Sequence, residues 1–132
     1  MAFYGKRSLL NLSEADWNLQ KIAQRAISIT DFSIIDCARG KAEQNLAYNR
    51  RLSKLDYPNS AHNAVPAQGI DFIPYPFVSW DDKPSFYKVV LAFKQALNEL
   101  KTEGEIPLYY ELEFGYEWGW DAGHINKKNW KG

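Results

Sequence analysis

The sequence predicts an α+β domain, a small and mostly antiparallel sheet flanked by helices. Three observations carry this. Segments of helical and strand periodicity alternate and then end in two successive strands, in the order α-β-α-β-α-β-β. Hydrophobic residues make up 45% of the chain and aromatics 15%, enough to build a core and too many for disorder. The length, 132 residues, suits one unit, so 1–132 is read as a single domain.

Ser13, with Asp16 three positions on, is a variant of the capping box. Trp17, Ile22, Ala23, Ala26, Ile27 and Ile29 then follow a helical stripe and predict a helix over 14–28. The run 32–36 is short and apolar, as a buried strand is. Residues 41–52 are read as a second helix, with Ala42, Leu46 and Asn49 on one side. Two prolines, two asparagines and a serine make 56–66 a loop. Residues 69–73 alternate around Asp71 between Pro66 and Pro74, as a strand would. After a loop over 75–84, Pro84 suits a helix start. Phe86, Val89, Val90, Phe93, Ala96, Leu97 and Leu100 then mark the buried face of a long helix that stops at Gly104. Residues 108–115 read as a strand, Tyr116 to Trp120 as an aromatic turn, and 121–125 as the entry to a last short strand.

Sixteen basic and sixteen acidic residues cancel, so no global field favours nucleic acid or an anionic membrane. Arg50 and Arg51 with Lys54 form a short basic cluster, read as a solvated helix end. The single cysteine, Cys37, excludes an internal disulfide and fits a reducing compartment. It lies in an apolar run and is read as a small core residue rather than a nucleophile. Met1-Ala2-Phe3-Tyr4-Gly5-Lys6-Arg7 lacks an apolar signal region, and no apolar stretch approaches the ~20 residues needed to span a bilayer. The expectation is a monomer made in the cytoplasm, with no signal peptide and no membrane insertion.

The chain has two histidines, His62 in the 56–66 loop and His124 at the start of the last strand. With Asp71 they offer a zinc ion three ligands, and Asp121 adds a free carboxylate three positions before His124. A catalytic zinc site leaves a fourth position for water, whose proton a nearby carboxylate can take. On spacing alone, a lone histidine is more often a surface or hydrogen-bonded residue than a metal ligand.

The pattern His62-x8-Asp71 followed by Asp121-x2-His124 resembles the zinc peptidases of the D-Ala-D-Ala carboxypeptidase and hedgehog-like group. Within that group the chain looks most like the phage L-alanyl-D-glutamate peptidases, which are small endolysins. The likeness covers most of the chain. It runs through Tyr4-Gly5-Lys6-Arg7-Ser8, the strand 32–36 leading to Arg39, Ala42-Glu43-Gln44, Ser60-Ala61-His62, Gly69-Ile70-Asp71-Phe72-Ile73-Pro74-Tyr75, Phe114-Gly115-Tyr116-Glu117-Trp118 and Asp121-Ala122-Gly123-His124. This chain departs from many relatives in the nine-position offset between His62 and Asp71. Cys37 stands in place of glycine, Gly40 in place of threonine and Asn126 in place of glutamate.

The resemblance implies a hedgehog/D-Ala-D-Ala peptidase-like fold and a Zn²⁺ cofactor held by His62, Asp71 and His124. It implies Asp121 as general base and Arg39 as the group that stabilises the oxyanion or fixes a substrate carboxylate, a task suited to its planar fork. Ser60 and Gln44 would be supporting residues. Set against this, Arg39 could simply pair with Asp36 or Glu43, and Gln44 could be an ordinary polar helix residue. Tyr109, Tyr110, Phe114, Tyr116, Trp118 and Trp120 are read as core and cleft wall, and Trp130 as packing onto the domain.

The implied substrate is the bacterial peptidoglycan stem peptide, cut at L-Ala-D-Glu in host lysis. The implied location is the host cytoplasm until lysis, then the periplasm and cell wall. The alternatives are a D-Ala-D-Ala carboxypeptidase and a non-catalytic zinc-containing binding module of the same fold. The presence of the Asp121 carboxylate favours an enzyme.

Overall fold

The computed structural model describes residues 4–55 and 57–131. Met1, Ala2 and Phe3 of the N-terminal reading, and Asp56 at the start of the expected loop, lie outside the described residues. The elements are α1 (Lys6–Leu12), α2 (Trp17–Ile27), β1 (Phe32–Asp36), α3 (Lys41–Asn49), a 3₁₀ turn (Ala61–Asn63), β2 (Gly69–Pro74), α4 (Lys83–Thr102), β3 (Leu112–Phe114), α5 (Gly115–Trp118) and β4 (His124–Lys127). The four strands form one sheet in the order β1-β2-β4-β3, and every pairing is antiparallel. The fold is α+β, as expected.

The core lies on one face of this sheet, under α2 and α4. Phe32 and Ile34 of β1, Ile70 and Phe72 of β2, Phe114 of β3 and Ile125 of β4 meet the apolar faces of the two helices. All seven apolar positions predicted for the long helix are buried. Asp82 caps that helix by accepting from the Ser85 N–H at 3.4 Å, and Pro84 falls in its first turn, where a missing N–H costs nothing. Phe32, Phe72 and Phe93 pack ring against ring at 5.3–6.2 Å.

Several expectations need correction. The sequence reading has no α1. That helix lies along β1, an edge strand whose outer backbone groups would otherwise be free to pair with another chain. Ser8 Oγ accepts from the Ile34 N–H at 3.1 Å and Asn11 Nδ2 donates to the Ile34 carbonyl at 3.0 Å, so the backbone groups of Ile34, in the middle of the edge, are paired. Ser13 does not start the helix expected over 14–28, which is α2. It closes α1, its hydroxyl donating to the Leu10 carbonyl, and Asp16 caps α2 by accepting from the Leu19 N–H. Trp17 is 67% exposed, and Leu19 fills the buried stripe instead.

On α3, Ala42, Leu46 and Asn49 all face solvent, and the buried residue is Gln44. The helix stops at Asn49, three residues earlier than expected. The 108–115 strand shrinks to Leu112–Phe114, and Tyr109 is exposed while Tyr110 enters the core. The aromatic turn is the short helix α5. Cys37 is fully buried. Burial, with the charges of Glu14, Asp36 and Asp71 adding to it, pushes its thiol up to about 12. A thiol held neutral in this way packs and does not attack. No helix among the described residues is long and apolar enough to cross a membrane.

Candidate metal centre and active site

Strand periodicity decides which side chains meet on the other face of the sheet. Ile70 and Phe72 of β2 point into the core, so Asp71 points away from it. Ile125 of β4 is also in the core, so His124 and Asn126 share the face of Asp71. Asp71 stands opposite His124 in the ladder. His62 comes from the 3₁₀ turn that Ser60 begins. Ser60 Oγ accepts from the His62 N–H at 3.2 Å, and the Ser60 N–H donates to Asn63 Oδ1 at 2.9 Å. The Arg39 N–H donates to the His62 carbonyl at 2.7 Å, which ties this turn to the segment after β1.

His62, Asp71 and His124 each bring one ligand atom to a common point, all within 4.8 Å of one another. Asp71 Oδ1 is 3.2 Å from His62 Nε2 and 3.0 Å from His124 Nδ1. The opposite ring nitrogens reveal which atoms carry protons. His62 Nδ1 lies 2.6 Å from the Cys37 carbonyl, which can only accept. His124 Nε2 lies 2.8 Å from Asn126 Oδ1. Asn126 presents its oxygen there because its Nδ2 donates to Glu113 Oε1 and to the Lys127 carbonyl. Both outer nitrogens are therefore N–H donors.

In their neutral forms, both rings then aim a lone pair at the same carboxylate oxygen. Three electron-rich atoms converging in this way need a cation among them, or a second proton on the rings. Imidazole and carboxylate are donors that zinc accepts, and an outer N–H bonded to a carbonyl or amide oxygen is the usual support of a ligating histidine. The donor set fits zinc. Burial opposes the ionisation of Asp71, but the charge of His62 and the hydrogen bonds of both histidines outweigh it and hold its carboxyl well below the usual range. Burial would lower His124, yet its hydrogen bond to Asp71 and the charges of Asp71 and Asp121 leave it above its ordinary value.

Asp121 lines the same cleft, half-buried, one turn ahead of His124, whose N–H donates to the Asp121 carbonyl at 3.2 Å. Burial raises its carboxyl above the ordinary value; the charge of His124 opposes this and that of Asp71 adds to it. Gly115 lets the turn come this close. A Cβ there would overlap the Asp121 carbonyl oxygen and stand 2.9 Å from Asp121 Cβ.

Arg39 uses three nitrogens at once. Nε donates to Asp36 Oδ2 at 2.7 Å, one terminal nitrogen to Gln44 Oε1 at 3.1 Å, and the other to Asp71 Oδ2 at 2.9 Å. The pair with Asp36 is present, together with the contact to Asp71. Gln44 is fully buried and connects Arg39 to Asn63, Ser53 and Leu55.

The structure thus brings His62, Asp71, Asp121, His124, Arg39 and Ser60 to one cleft, with Gln44 behind it. Trp118 and Trp120 form its wall, stacked at 5.5 Å, with Trp118 also 5.5 Å from the His124 ring. Sequence reasoning gave Asn63, Asn126 and Lys54 no role in the site. Asn63 had a signal, the Ser60-x-x-Asn63 cap. Asn126 had another, its place two residues after His124, on the same face of a strand. Lys54 is no solvated helix end, since it reaches across to Trp120. Trp130 packs onto the cleft itself.

Fold and cleft together define a small α+β protein whose His-Asp-His cluster can hold a metal ion. The chain belongs to the phage L-alanyl-D-glutamate peptidase family, whose model matches residues 1–129. It is similar to the L-alanyl-D-glutamate peptidase of Escherichia phage T5, with 31% identity over 141 aligned residues, 92% of this chain and 95% of that one. Its fold is similar to that of the L-Ala D-Glu endopeptidase ChiX of Serratia marcescens, with a TM-score of 0.73 and 21% identity. That match covers 94% of this chain and 89% of the other.

Proposed function

We propose that residues 1–132 form a single zinc peptidase domain that cuts the L-Ala-D-Glu bond of peptidoglycan stem peptides as a phage endolysin. The observation that carries this reading is the convergence of two imidazole nitrogens on the half-buried Asp71 carboxylate, in a cleft that Asp121 also lines. In this reading His62, Asp71 and His124 hold zinc. Bound there, zinc supplies a Lewis acid that polarises a carbonyl and acidifies water to a pKa of roughly 7. Asp121 takes the proton from the attacking water and can return it to the leaving amine. Arg39 holds Asp71 Oδ2 so that Oδ1 faces the histidines, and its remaining N–H groups are available to the oxyanion or to a substrate carboxylate. Ser60 shapes the turn that carries His62, and Gln44 braces Arg39. The protein acts as a monomer. It accumulates in the host cytoplasm and reaches the wall once another protein has opened the membrane.

The test is digestion of purified peptidoglycan with and without a chelator, with the new termini identified by mass. New N-terminal D-Glu that vanishes with chelator and returns with zinc is the expected result. Release of terminal D-Ala alone would move the protein to the carboxypeptidase branch, and undiminished cutting in metal-free protein would remove zinc from the mechanism.

Arg39→Lys is expected to retain the charge and lose the fork. One ammonium cannot hold Asp36, Gln44 and Asp71 in the same plane. Metal affinity or kcat/KM should fall about 10–100-fold, the usual cost of losing a group that orients a ligand. Equal values for the two proteins would reduce Arg39 to an ordinary surface ion pair.

A further inference from the structure

Two cationic side chains line the cleft, Arg39 and Lys54. Three of the five Arg39 N–H groups are taken by Asp36, Gln44 and Asp71. Lys54 is held differently, its ammonium 4.1 Å from the centre of the Trp120 ring. A ring face attracts a cation electrostatically, but it leaves the N–H donors that point away from the ring free to bond elsewhere. Lys54 is placed there by a buried anchor. Gln44 Nε2 donates to Ser53 Oγ at 2.9 Å and to the Leu55 carbonyl at 2.5 Å, which pins the chain on both sides of Lys54. Trp120 in turn stacks on Trp118, and Trp118 lies over His124. A continuous series of contacts therefore links the ammonium to the metal-capable cluster along one wall of the cleft.

We infer that Lys54 binds the free carboxylate of the glutamyl residue on the leaving side of the scissile bond. This rests on the peptidase reading given above. Glutamate has two carboxyl groups, and linkage into a peptide uses one of them. The other stays anionic, a few bonds from the scissile nitrogen. A charge-assisted N–H···O bond to it is roughly twice as strong as a neutral one. Lys54 thereby sets a preference for D-glutamyl over uncharged residues at this position.

The test uses two L-Ala-D-Glu peptides that differ in one group, the free glutamyl carboxylate in one and its carboxamide in the other. Their kcat/KM values are compared in the wild type, Lys54→Met and Lys54→Arg. The wild type should favour the carboxylate peptide by about tenfold. Lys54→Met should bring the ratio close to one by losing rate on the carboxylate peptide alone, and Lys54→Arg should restore most of the preference. An unchanged ratio in Lys54→Met overturns the role of Lys54 and leaves the peptidase reading intact. An equal loss on both peptides also overturns it, by assigning Lys54 to loop packing. Failure of the wild type to cut either peptide overturns the peptidase reading and this inference with it.

Discussion

On the proposed zinc-peptidase reading, Asp121→Asn is expected to fold, to bind zinc as the parent does and to lose about 10²–10⁴-fold in turnover, the usual contribution of a positioned general base. The amide has the size of the carboxylate, so the packing of the turn against Gly115 survives. The metal-capable cluster draws on His62, Asp71 and His124 and takes nothing from Asp121. What the substitution removes is the ability to accept a proton. That ability is well matched here, because burial raises the Asp121 carboxyl and brings it closer to neutrality. Turnover on stem peptide and zinc content by elemental analysis should be measured on the same preparation. His124→Ala should behave differently in kind, losing metal and turnover together. If Asp121→Asn lysed walls at the parent rate, Asp121 would have to be abandoned as the base. If it lost zinc as well, Asp121 would belong among the ligands.

Gly115→Ala is expected to damage both stability and activity. The added methyl would run into backbone, the carbonyl of Asp121, and backbone cannot swing aside as a flexible side chain does. Forcing atoms into a filled site costs about 1–3 kcal/mol. To relieve the overlap, the Asp121 turn must move away from α5, and the carboxylate moves with it. A displacement of about 1 Å at a reacting group can cost roughly 10²-fold in rate. Thermal unfolding and kcat on stem peptide measure the two effects. A variant with the parent melting temperature and the parent kcat would mean that Gly115 has no part in placing Asp121.

Where the sequence was legible, a local rule was at work. The 3.6-residue stripe from Phe86 to Leu100 picked out the buried face of α4, and the span 32–36 matched β1 to the residue. The same kind of rule misled on α3. Leu46 looked like core and is exposed, because this helix covers a polar network centred on Gln44 rather than the main core. Ser13 looked like a cap for α2 and closes α1, since serine suits either role and only the neighbouring turns decide between them.

The sequence by itself determined which residues had the chemistry for a metal site. With two histidines, and with Asp71 and Asp121 beside a strand and a tight turn, few other sets were open. Alternation along β2 and β4 then put Asp71 and His124 on the face away from the core, because Ile70, Phe72 and Ile125 had to be buried. Only the tertiary structure decided how that set is oriented and what surrounds it. The Cys37 carbonyl on His62, the three-way grip of Arg39 and the reach of Lys54 to Trp120 each join groups that no single helix or strand sets in place. The physical reason is that hydrophobic periodicity is written locally along the chain. Hydrogen bonds and ring contacts between distant residues take their geometry from the sheet register and the loops, which exist only once the core has formed.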